Sequence, residues 1–170
     1  MRARNNLLLV ASALLFVVSG CSTFSGGQGS GKSIEASAEQ QSEQAFGLVR
    51  EFANSIVDDP FNPNLSAMSQ AGRILGDADK ARGKRNLDTL QVRHALASVL
   101  IERGAQPEHG ELNGYLTADG RLRDPGSFTN DHDRDAYNDA LTNYLSNQKP
   151  AKQIRNGLST LKENYQRENP

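Results

Sequence analysis

From Ile34 onward the apolar residues recur at three- and four-residue intervals, and proline or glycine closes each stretch. That spacing places them on one face of an α-helix and leaves strands little to build on. The first stretch, Ile34–Asp58, carries Ile34, Ala38, Ala45, Leu48, Val49, Phe52, Ile56 and Val57 on such a face. Ser33 is placed to cap it, with Glu35 in the first turn where the helix dipole favours an anion. Asp59-Pro60-Phe61-Asn62-Pro63-Asn64 ends it, because each proline disfavours helix in the residue before it.

A weaker helix follows, with Leu65, Met68, Ala71, Ile74 and Leu75 as its stripe. Asn64 or Ser66 is its expected cap, and Gly76 its expected end or interruption. Lys80-Ala81-Arg82-Gly83-Lys84-Arg85 could meet lipid phosphates or an anionic envelope polymer, but it reads first as a solvated basic turn beside a helix C-terminus, where cations are favoured. A third helix spans about Asp88–Arg103, with Leu90, Ala95, Leu96, Val99, Leu100 and Ile101 as core candidates. Gly104 stands where a left-handed C-terminal cap is expected, and Pro107 follows. His94 within this helix reads as a surface or half-buried polar residue.

Gln106–Asn130 differs from the rest: Gly110, Gly114, Gly120, Pro125 and Gly126 punctuate it. Asp119-Gly120 between Tyr115-Leu116 and Leu122 is a hairpin signal, so a small ribbon or an irregular loop is expected. A fourth helix over Asp131–Ser146, capped by Asn130 or Asp131, bears Tyr137, Leu141, Tyr144 and Leu145. Pro150 opens a fifth, with Ile154, Leu158, Leu161 and Tyr165 in a narrow stripe that predicts an edge helix. The expected fold is all-α, a compact bundle of about four to five helices with one long irregular loop or small β-hairpin insertion.

The N-terminal segment is different chemistry. Arg2 and Arg4 precede a run of about 12 apolar or small residues, Leu7–Val18, and Ser19-Gly20 lead into the only cysteine, Cys21. A charged start, short apolar core and small-residue exit describe a secretory signal peptide, and the run is too short for a bilayer span. Val18-Ser19-Gly20-Cys21 resembles the lipobox of bacterial lipoproteins. The resemblance implies cleavage before Cys21, a diacylglycerol thioether on its sulfur and acylation of the new amino terminus. Residues 1–20 are then a signal peptide, 21–33 a lipidated cysteine with a flexible Gly/Ser linker, and 34–170 the helical domain. Ser22 after the cysteine, rather than Asp, implies delivery to the outer membrane in that family. The expected location is the cell envelope, lipid-anchored, with acyl chains as the membrane contact.

Removing the first 20 of 170 residues leaves enough chain for one domain. Losing Arg2 and Arg4 makes the formal charge of −1 two units more negative, too close to neutral to attract a polyanion by bulk charge. With Cys21 consumed there is no thiol for disulfides, thiol catalysis or cysteine-ligated metal. No Trp and few aromatics predict a modest core.

Gly26–Ser33 matches the phosphate-binding pattern G-x-x-x-x-G-K-[ST], but that motif works only between a buried strand and a helix. No strand pattern enters it, so it reads as linker, and no nucleotide or other cofactor is expected. Asp131-x-Asp133-x-Asp135 imitates half of a calcium loop, yet Ala136 and Thr142 stand where glycine and glutamate are required. An acidic helix start explains the same residues. His94, His109 and His132, with Glu108, Glu111 or Asp133, lack zinc-site spacing. No catalytic constellation is complete, and no catalytic or metal-binding residues are assigned.

The expectation is therefore a non-enzymatic envelope lipoprotein acting as a protein-binding or structural module, with an envelope protein as partner and no nucleic acid. An inhibitor or immunity lipoprotein would be physically the same thing. The alternative is an envelope hydrolase acting on cell wall or surface polymer, with Glu108 or Glu111 as general acid. Binding residues gather on loops held by a scaffold, so Tyr115 and Phe128 in the long loop are the candidate partner contacts. Equally, those rings could simply cap the open end of the core.

Overall fold

The computed structural model describes residues 30–107 and 110–170. The segment expected to be a signal peptide, Cys21, Gly26–Gly29 of the phosphate-loop match, Glu108 and His109 lie outside the described residues. Among the described residues the protein is an all-α bundle of five α-helices: α1 Ser30–Asp58, α2 Leu65–Ala81, α3 Thr89–Glu102, α4 Asp131–Asn147 and α5 Ala151–Glu168. No helix there is long and apolar enough to cross a membrane.

The first boundary differs from expectation. α1 starts at Ser30, so Ser33 lies inside the helix rather than capping it, and Glu35 falls beyond the first turn. No proline stands before Asp59 to forbid the extra turn. Its buried face is Ala38, Ala45, Val49, Phe52, Ala53 and Ile56. Asn64 caps α2 by accepting from Ala67 N–H, Asp88 caps α3 through Gln91 N–H, and Asn130 caps α4 through Asp133 N–H. At α4 the bond is reciprocal, since Asn130 Nδ2 donates to Asp133 Oδ2 at 2.8 Å.

α2 corrects a second expectation. It runs through Gly76 to Ala81, because Gly72 and Gly76 are buried against α5 instead of ending the helix. A Cβ at Gly72 would stand 2.2 Å from the Leu161 carbonyl oxygen, and one at Gly76 2.8 Å from that of Tyr165. α5 does lie at the edge of the bundle, as its narrow stripe predicts, but it is closely seated: it packs chiefly on α2, which packs also on α1. Ile154, Leu161 and Tyr165 are buried, whereas Leu65 at the start of α2 is exposed. α1 also packs on α3, and α3 on α4, so α1 sits between two halves of the bundle.

The basic turn after α2 is tied down from below. Asn169 Nδ2 donates to the Lys84 carbonyl at 2.8 Å and to Tyr165 Oη at 3.0 Å. Tyr165 in turn donates to the buried carboxylate of Asp79 at 3.0 Å. Gly83 and Gly104, at φ +69° and +91°, take the left-handed backbone that ends α2 and α3.

Between α3 and α4 the described residues make a single antiparallel bridge, Leu116 to Leu122, around a turn with Gly120 at φ +79°. The hairpin signal is thus realised in its smallest form. A short 3-10 turn, Pro125–Ser127, capped by Asp124, leads on toward α4.

Candidate interaction groove

Phe61 is the most exposed large apolar side chain among the described residues, at 95% of its free surface. It stands on the α1–α2 turn, which hydrogen bonds brace from both helices and from α5. Asp59 Oδ1 accepts from Phe61 N–H at 3.0 Å, and Asn64 N–H donates to Ser55 Oγ at 2.9 Å. Asn64 Nδ2 donates to Glu51 Oε1 at 2.7 Å, and Gln153 Nε2 reaches from α5 to the Pro60 carbonyl at 2.9 Å. Pro60 and Pro63 limit the backbone further.

Phe61 borders a groove of about 650 Å³ between the ends of α1 and α3 and the α4–α5 junction. Ile56, Val57, Leu100, Ala105 and Pro150 supply apolar wall, and Gln106, Gln148 and Gln153 supply amides. Around it, Arg103 pairs with Asp58, and Asn147 Nδ2 donates to Glu111 Oε1 at 2.7 Å. Tyr144 closes the adjoining core by donating to the Ala105 carbonyl, and burial holds its hydroxyl well above the ordinary tyrosine range. The volume lies within the range typical of binding clefts.

The predicted contacts sit elsewhere. Tyr115 and Phe128 are half-buried, each with its ring centroid 4.9 Å from that of Tyr137 on α4 and 6.1 Å from the other. Arg123 lies over Phe128 at 4.9 Å. The two rings bind the long loop to the core, and their outer edges line a cleft of about 410 Å³ with Arg123, Thr129 and Asp133.

Under the same loop, Tyr137 Oη donates to the Arg123 carbonyl at 3.1 Å and so accepts from His94 Nδ1 at 2.9 Å. The network assigns His94 the Nδ1–H tautomer, with Nε2 left as an acceptor. Burial lowers its pKa and keeps the ring neutral. Ser98, one turn on, lies 3.5 Å from Nε2 but donates its hydroxyl proton to the His94 carbonyl at 2.8 Å. The pair is thus ordinary helical back-bonding, with no nucleophile aligned to a base. His132 is exposed beside Asp133 at 3.5 Å, and no cluster of three His, Cys, Asp or Glu capable of holding a metal occurs among the described residues.

Compared with protein-family models, curated proteins and solved structures, the chain matches none.

Sequence reasoning passed over Phe61 because its turn reads only as a helix stop. The available signal was a large aromatic flanked by prolines with no apolar neighbour to pack on.

Proposed function

We propose that the protein is a membrane-anchored envelope lipoprotein whose helical domain holds a protein partner in the groove beside Phe61. The observation that carries this reading is the exposure of Phe61 on a braced turn. Burying a phenylalanine is worth about 1.5–3 kcal/mol, and the free chain forgoes it. A rigid aromatic at the edge of an apolar cleft is the arrangement that dominates protein–protein binding energy. The anchor rests on the lipobox resemblance at Cys21, with delivery to the outer membrane as the family pattern implies. The reading needs neither cofactor nor nucleotide, and assigns no catalysis.

The test replaces Phe61 by a photo-crosslinking benzoylphenylalanine in the full chain in cells. A discrete adduct is expected there and none from the same residue at Gly47, which is exposed on α1. With the crosslinker at Gln153 instead, Phe61→Ala should abolish the adduct. Adducts arising only at Tyr115 or Phe128 would move the binding surface to the long loop.

A further inference from the structure

Phe61 and Leu65 are the exposed large apolar side chains among the described residues, and both stand where α1 turns into α2. The ring of Phe61 does not fill the groove it borders. At 95% exposure it stands clear of its own chain, and the bonds from Asp59 and Gln153 hold the turn in that position. The accessible apolar wall of the groove is Val57, Pro60, Ala105 and Pro150, each half-buried, with Ile56 and Leu100 closed off behind them. Knob and hole thus lie side by side on one patch.

Charge divides across the patch in the same way. Asp59 is exposed two positions before the ring, and its Oδ1 accepts from the Phe61 amide. Lys149 is exposed on the far side of the groove, at the α4–α5 junction, and Lys152 follows in the first turn of α5. Neither Asp59, Lys149 nor Lys152 forms an ion pair among the described residues. The other charges at the groove are engaged within the chain, Arg103 by Asp58 and Glu111 by Asn147.

A two-fold axis through this patch satisfies both asymmetries at once. It sets the aromatic knob of each copy against the open wall of the other, and the acidic lip of each against the basic lip of the other. An isologous contact requires a patch that carries its own complement. Because knob and hole adjoin on one face, the pairing closes at two copies and does not propagate into a fibre. Any other partner would have to supply an aromatic and a charge pattern that this chain already carries.

We propose that the partner held beside Phe61 is a second copy of this chain, in a two-fold dimer where each Phe61 ring enters the other copy's groove and each Asp59 faces the other copy's Lys149. The proposal rests on the Phe61 groove reading and is independent of the anchor at Cys21. Two rings and two ion pairs make a small contact, for which an affinity of about micromolar is expected.

The test is sedimentation of the full chain in density-matched neutral detergent, from about 1 to 100 μM. Dimer should form across that range. Phe61→Ala should weaken it at least about thirtyfold, as loss of a central aromatic anchor implies, with helical circular dichroism unchanged. Asp59→Lys and Lys149→Glu should each weaken it about tenfold or more by setting like charges opposite one another. An equimolar mixture of those two variants should dimerise again, since both contacts in the mixed pair join opposite charges. A folding defect in either variant would give no such rescue. A wild type monomeric at about 100 μM, a dimer unchanged in Phe61→Ala, or a mixture no better than its components would each overturn the proposal. The adduct at benzoylphenylalanine 61 in cells separates the two readings. Twice the chain's mass supports the dimer, and an adduct with a different protein overturns the dimer but leaves the groove reading standing. Absence of any adduct removes both.

Discussion

The ring of Phe52 on α1 lies so close over Gly157 on α5 that a Cβ at 157 would sit 2.4 Å from its Cζ. The ring edge fills the space a side chain would need, so α1 and α5 meet through a glycine. Gly157→Ala should therefore destabilise the protein by about 1–3 kcal/mol as an overpacked core substitution, despite alanine's better helix propensity. Gly47→Ala is the control: it meets nothing within 4 Å and should stabilise by about 0.5–1 kcal/mol. Urea midpoints of the two variants should move in opposite directions.

His94 makes stability depend on pH. Burial, aided by Arg50 and opposed by Asp124, lowers its pKa below the ordinary 6.5 in the folded protein. In the unfolded chain it takes up a proton first, so unfolding becomes easier as protons are added. Its contribution is complete above about pH 6.5 and is lost as pH falls through the lowered folded value. The urea midpoint of the wild type should drop over that window, and His94→Gln should flatten the drop. Parallel curves for the two proteins would remove His94 as the cause.

Asn169 joins the basic turn to α5 and to Tyr165, whose hydroxyl reaches Asp79 on α2. Asn169→Ala removes both of its donations at a buried position, a loss of about 1–3 kcal/mol. Amide exchange near Lys84 should accelerate more than exchange in α3, because the turn loses its tie while α3 keeps its packing. Uniform acceleration would show that the network serves global stability only.

Anchoring should depend on Cys21. Acyl burial is worth about 0.8 kcal/mol per methylene, and stable attachment takes more than one chain. Cys21→Ala should accumulate as an uncleaved precursor that incorporates no radiolabelled palmitate. Incorporation by the variant would refute the lipobox reading.

The helices were legible because each carries its own periodic stripe and its own stop. Asn64, Asp88 and Asn130 cap from their sequence positions, and Gly104 ends α3 as a left-handed residue. Gly76 misled for a physical reason. A glycine's missing side chain serves a helix end or a close helix contact equally well, and only the arrival of α5 distinguishes them. Tyr115 and Phe128 carry both readings still, since their outer edges line a cleft. An aromatic in a loop can serve a partner and the core at once, and Tyr137 supplies the core contact.

By itself, then, the sequence determined the all-α class, the order of the helices and most of their ends, since periodicity and capping act within a few residues. Tertiary structure alone decided the rest. It seated α5 on Gly72 and Gly76 of α2 and set Gly157 of α5 under Phe52, bound the long loop through Tyr137, and left Phe61 outside beside an open groove. Those outcomes depend on which faces meet across long stretches of chain, and no local pattern encodes that.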